Sequence, residues 1–207
     1  TLQVLKSDPQ RVSQGGVDVQ SLVFSGLASS YSVLTDTERE LGVVLVDFGG
    51  GTTDIALVNN GGVEGTKMFG IGGRSFTKRI AAIAGCSFEQ AEEMKLEYSA
   101  GNLAHIKDKA AVEKAIDADI QVWLSGVELS LAEFTRIDHL PAKILLCGGG
   151  TGLPQIKKVL SSDWYKRMAF ARKPIVSHIE PSQVARVKDM TGKLTSFADI
   201  TPMGLAN

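Results

Sequence analysis

Two stretches carry residue types that could do chemistry. In "VDFGGGTTDIAL", residues 46–57, Gly49, Gly50 and Gly51 follow an apolar run, with Asp47 before them and Thr52, Thr53 and Asp54 after. In "CGGGTGLP", residues 147–154, Gly148, Gly149 and Gly150 separate another apolar run from a proline-led segment. Successive backbone N–H groups in a tight glycine turn form a concavity that holds an anion, and glycine alone lets the main chain approach so closely. A carboxylate at a strand end can hold Mg²⁺ through its waters, because Mg²⁺ keeps much of its hydration shell. Phosphate with magnesium is therefore one reading of these turns; plain hairpin geometry is the other for each turn taken singly. Neither stretch has the lysine and Ser/Thr of a Walker A loop, and the first turn leads into a strand where a dinucleotide fold needs a helix.

The elements that must position these turns follow from apolar periodicity. "VVLVDF" (43–48) is apolar on both faces, as in a central strand, and "TDIALVN" follows it to Asn60-Gly61, a hairpin signal, before "VEGTKMF". Three strands joined by tight turns are predicted. "TDTERELG" before them reads as a polar connector, and "QSLVFS" (20–25) as a short strand. After "GIGG" the period becomes helical, with Phe76, Ile80 and Ile83 on one side. Ser87 with Gln90 forms a capping box that opens a second helix running to Gly101. Val112, Ile116, Ile120, Trp123, Val127 and Leu131 mark a long amphipathic helix over 109–134, or a pair split near Gly126. "KILLC" is a fourth strand, "QIKKVLSS" a helix, "KPIVSHI" a strand, "DMTGKLTS" a loop and "ADITPMGLAN" the start of a helix. The order is that of a layered α/β domain.

Composition narrows the function classes. A net charge of −1 and a pI near 6.3 give no electrostatic footprint for nucleic acid. Cys86 and Cys147 lack metal-ligand spacing, and a reduced, buried Cys147 fits a cytoplasmic protein. No run approaches the about 18 apolar residues of a membrane helix, and no signal peptide is recognisable. His105, His139 and His178 are scattered singly and read as surface or structural residues. The chain is expected to be a fragment.

The two glycine stretches, taken with their flanks, resemble a known superfamily. "VDFGGGTTDIAL" resembles the second phosphate-binding hairpin of the actin-like ATPases, "ILLCGGGTGLP" their adenosine loop and "ITPMGLAN" their second interdomain connector. "SGLASSYSVLTDTERELGVVLVDFGGGTTDIALVNNGGV" resembles the FtsA family of bacterial cell-division proteins, and "AEEMKLEYSAG" a helix shared by that family and MreB. The resemblance implies an actin-like, ribonuclease H-like lobe: a mixed sheet with β-hairpins flanked by helices, plus a small helical insertion. Residues 1–41 would end the first lobe, 42–74 and 141–207 would form the second-lobe core, and 75–140 the helical subdomain. ATP and Mg²⁺ are the implied ligands. Gly49, Gly50, Gly51 and Thr52 would hold the β- and γ-phosphates, with Asp47 as the magnesium-side carboxylate. Gly73 would approach the ribose, Glu92 and Lys95 would flank ribose and adenine, and Gly148, Gly149 and Gly150 would pass beneath the α-phosphate and base. A solvated i,i+3 ion pair is the competing reading of Glu92 and Lys95. Gly26, Ala28, Ser29, Gly204 and Ala206 would form the hinge, where small side chains let helices shear.

The same resemblance sets expectations for activity and partners. Relatives often carry Glu-Pro where this chain has Ser25-Gly26, and serine near neutral pH is no general base unless activated. No catalytic residue is assigned, and slow hydrolysis at most is expected, with nucleotide acting as an assembly ligand. Further copies of the chain in a filament and the tail of FtsZ are the implied partners, at the cytoplasmic face of the inner membrane, with attachment through segments outside this chain. Rival readings are a PilM-like pilus-assembly adaptor that uses ATP structurally, an MreB-like cytoskeletal ATPase, and a sugar- or acetate-kinase-type transferase.

Overall fold

A computed structural model describes residues 33–184 and 189–205. Five strands, β1 (Val43–Phe48), β2 (Thr53–Asn59), β3 (Gly62–Phe69), β4 (Lys143–Cys147) and β5 (Ile175–His178), form one sheet in the order β3-β2-β1-β4-β5. β1, β2 and β3 are antiparallel neighbours, whereas β4 runs parallel to both β1 and β5. The hairpin between β2 and β3 turns at Asn60 and Gly61, both with positive φ, as its Asn-Gly sequence predicts.

β1 is central because both of its faces are apolar. Val44, Val46 and Phe48 enter one apolar cluster, while Val43 and Leu45 enter another on the opposite side, the alternation a strand imposes. The first cluster is covered by α2 (Gly73–Ala84), α3 (Phe88–Ser99), α4 (Lys109–Ala132) and α5 (Pro154–Leu160). On the other face lie Val33, Leu34, Ile179, Val184, and Ile200 and Met203 of α6 (Ile200–Leu205). Val112, Ile116, Ile120, Trp123, Val127 and Leu131 are all buried along α4, which is one continuous helix. Gly126 does not break it: a side chain there would meet the Phe69 ring at 2.7 Å.

Several sequence expectations are refined. The connector "TDTERELG" holds a short helix, α1 (Asp36–Leu41), because Thr35 and Glu38 cap it reciprocally. Ser87 and Gln90 form the anticipated box at α3. Ile83 is 37% exposed, off the inner face that Phe76 and Ile80 occupy. The strand expected at 20–25 and the hinge positions Gly26, Ala28, Ser29 and Ala206 lie outside the described residues, while Gly204 is buried in α6. Among the described residues no helix is long and apolar enough to cross a membrane.

Candidate functional site

Both glycine turns leave the carboxyl ends of adjacent parallel strands, β1 and β4, where Asp47 and Cys147 are register partners. They meet there. A side chain on Gly148, which has φ +86°, would strike Asp47 Oδ1 at 2.4 Å and the Phe48 carbonyl at 2.6 Å. One on Gly150 would strike the Phe48 ring at 2.6 Å. A third backbone segment closes the group, since a Cβ on Gly72 would lie 2.5 Å from the Gly51 nitrogen. Gly73 N–H donates to the Gly49 carbonyl and Arg74 N–H to the Gly50 carbonyl, each at 2.9 Å. The start of α2 therefore clasps the first turn, which the Gly49 N–H closes on the Thr52 carbonyl at 3.0 Å.

The first turn's own glycines are different. Gly49, Gly50 and Gly51 have no positive φ. An added Cβ finds nothing nearer than 3.5 Å at Gly49 and 3.8 Å at Gly50, and nothing within 4 Å at Gly51. Packing requires glycine at 72, 148 and 150; at 49–51 neither packing nor backbone angle does.

The carboxylates sit on one rung of the sheet. Asp47 and Asp54 are directly opposed across β1 and β2, so their side chains share a face. Asp47 is 6% exposed and accepts from Thr201 Oγ1 at 2.7 Å. Asp54 is half-buried and accepts from Thr52 Oγ1 at 3.2 Å. Burial raises the Asp47 carboxyl from its ordinary value against the Thr201 bond. Asp54 is raised chiefly by burial and further by the Asp47 charge, the Thr52 bond opposing. Cys147 beside them is a free thiol, pushed well above its usual value by burial and by the Asp47 charge. Among the described residues no group of three or more His, Cys, Asp or Glu could cage a metal; an ion held here would need its waters or a ligand's oxygens to complete its shell.

Thr53 lies on the opposite face, buried, donating to the Ile71 carbonyl at 2.7 Å and accepting from Trp123 Nε1 at 2.9 Å. Glu92 and Lys95 come to the same end of the molecule. Lys95 is 7% exposed, and its ammonium donates to the Gly73 carbonyl at 3.2 Å, Thr77 Oγ1 at 2.8 Å and Glu92 Oε2 at 2.8 Å. Its three protons are thereby taken up within the protein, so the pair is a buried brace between α3 and α2 and not a solvated surface pair. Burial alone would raise the Glu92 carboxyl; bonds from Lys95 and Thr77, with the charges of Lys95 and Arg74, outweigh it and hold it low. The second turn is roofed by residues 196–199. Gly148 N–H donates to the Phe197 carbonyl at 3.0 Å, and the Phe197 ring stacks on His178 at 4.5 Å.

This arrangement places residues 47–52, 72–74, 92–95 and 148–150 along one crest. A family model described as "Cell division protein FtsA" matches residues 44–190. The chain belongs to the FtsA family. FtsA of Pseudomonas aeruginosa is 34% identical over 156 residues, covering 67% of this chain and 37% of that protein. FtsA of Escherichia coli K12 is 45% identical over 93 residues, 45% of this chain and 22% of that protein. The chain thus spans well under half the length of these FtsA relatives. Among solved structures, the "PilM-PilN type IV pilus biogenesis complex" superposes with a TM-score of 0.70 at 20% identity, over 92% of this chain and 53% of that one. The ethanolamine utilization protein EutJ of Carboxydothermus hydrogenoformans gives 0.61 at 19%, over 94% and 58%. At that identity the likeness is one of fold, the actin-like ATPase fold.

The two turns, Asp47, Gly73, Glu92 and Lys95, all named from the sequence, come together at this end of the sheet. Sequence reasoning missed Gly72, although a Gly-Gly doublet between a strand and a helix is a local signal of close backbone approach. It also missed Thr201, which has no local signal because it is 154 residues from Asp47.

Proposed function

We propose that this FtsA-family chain forms one wall of a crevice for ATP and Mg²⁺, and that nucleotide serves assembly of the division protein more than turnover. The observation that carries this reading is the room left at Gly49, Gly50 and Gly51. Glycines that the protein's own packing and backbone angles do not require are accounted for if phosphate oxygens lie against the main chain. Gly49–Gly51 and Thr52 would hold the terminal phosphates, and Gly148, Gly149 and Gly150 would run beneath the α-phosphate and base. Gly73 and Glu92 would face the ribose, with Lys95 fixing Glu92 in place. Mg²⁺, when bound, neutralises phosphate charge; Asp47 and Asp54 are the carboxylates positioned to hold its waters. The small residues at 26, 28, 29, 204 and 206 remain the proposed hinge. Self-association in filaments, capture of the FtsZ tail, and action at the inner membrane through attachment supplied elsewhere complete the reading.

The test is Gly51→Ala in the intact protein. A Cβ at 51 meets nothing within 4 Å, so thermal stability should stay within about 0.5 kcal/mol of wild type. Mg-ATP affinity, measured by calorimetric titration, should fall at least about tenfold, the equivalent of about 1.4 kcal/mol. Unchanged affinity in a variant of unchanged stability would sink the reading.

A further inference from the structure

We propose that Arg74 supplies the cationic contact to the terminal phosphates, making the crevice favour a nucleoside triphosphate over a diphosphate. The inference rests on the nucleotide reading above and adds a residue and a selectivity to it.

The start of α2 has its N–H groups engaged: Gly73 and Arg74 donate to the carbonyls of Gly49 and Gly50, and Ser75 to that of Gly72. These groups hold the turn and are not free to hold a ligand. Beyond a bound Mg²⁺, cationic charge must then come from side chains, and among these the balance at the crest is unfavourable. Asp47 and Asp54 stand on one rung with two carboxylates, while the Lys95 charge is buried against Glu92. A polyphosphate approaching the first turn meets net negative charge unless another cation is present.

Arg74 is that cation. Its backbone is pinned to the turn by the bond to the Gly50 carbonyl. Its side chain is exposed, and Nε lies 3.8 Å from where a Cβ on Gly50 would project. Among the described residues no carboxylate pairs with it in an ion pair, whereas Arg79, one turn further along α2, is tied to Asp119 at 2.7 Å. The Arg74 charge already reaches the crest, since it helps hold the Glu92 carboxyl low. A guanidinium presents a planar fork of donors that matches two phosphate oxygens at once. Placed beside the turn assigned to the β- and γ-phosphates, that fork gains most when the γ-phosphate is present.

The experiment titrates the intact protein with Mg-ATP, Mg-ADP and adenosine for wild type, Arg74→Gln and Arg74→Lys. Arg74→Gln should weaken Mg-ATP by about tenfold, weaken Mg-ADP less and leave adenosine unchanged. Arg74→Lys should recover part of the loss. Equal losses for all three ligands would mean a structural effect and overturn the inference, as would wild-type Mg-ATP affinity in Arg74→Gln. Wild-type protein that binds none of the three ligands would overturn the nucleotide reading itself, a separate failure.

Discussion

Asp47 and Asp54 oppose each other on one face of β1 and β2, and the fold does little to relieve them. Each has one hydroxyl donor, Thr201 for Asp47 and Thr52 for Asp54, and burial raises both carboxyls. Like charges directly opposite destabilise an antiparallel pair, so the rung is held at a cost to stability. In magnesium-free buffer at neutral pH, Asp47→Asn should therefore raise the melting temperature. The gain should be on the order of 1 kcal/mol, since the amide oxygen can still accept from Thr201 while the charge disappears. The same variant should lose magnesium-dependent strengthening of nucleotide binding. A lower melting temperature would show that the carboxylate is a structural group, with the Thr201 bond outweighing the repulsion.

Among the elements, α4 shows how far patterning carries and where it stops. Val112, Ile116, Ile120, Trp123, Val127 and Leu131 recur at three- and four-residue spacing and all belong to the first cluster, so its inner face was legible. Whether it broke at Gly126 was not, because the reason for that glycine lies on β3: the Phe69 ring packs where a side chain would be. The strands behave alike. A run apolar on both faces and the Asn-Gly turn announce β1, β2 and β3, but the parallel pairing of β1 with β4 is a contact across some hundred residues that no local pattern encodes. The turns were visible as glycine runs, yet which glycines serve packing and which leave space depends on that pairing. The position at 126 tests the point. Alanine in a helix interior gains about 1 kcal/mol over glycine, while overpacking a filled site costs about 1–3 kcal/mol. Phe69 ring atoms at 2.7–2.9 Å make the second effect larger, so Gly126→Ala should destabilise by up to about 2 kcal/mol in chemical denaturation. A stabilised variant would mean that the ring moves aside freely.

On the scale of the whole molecule, the sheet divides two apolar clusters, and polar contacts lie at the margin of the face opposite the long helix. Lys143 at the start of β4 bonds Glu38 of α1 at 2.7 Å. Asp189 accepts from Thr191 N–H and Oγ1 at 2.7 Å and from Leu194 N–H at 2.9 Å, and Leu194 packs on that face's cluster. Burial would raise Glu38, but the Lys143 and Thr35 bonds prevail and hold it below its ordinary value. The bonds from Thr191 and Leu194 bring Asp189 down to about 2. Both folded-state values lie below the unfolded ones, so both groups stabilise the fold above the ordinary carboxylate range and lose that effect as pH falls through the depressed values. Acidification from about pH 4 towards about 2 should therefore release the 189–194 loop from this face, the last part of the window belonging to Asp189. The amide resonances of Thr191 and Leu194 should titrate together near the lower limit, and Asp189→Asn should abolish the transition at both. If those amides instead followed an unperturbed aspartate, shifting near pH 4, the Asp189 contacts would not be holding Leu194 in place in solution.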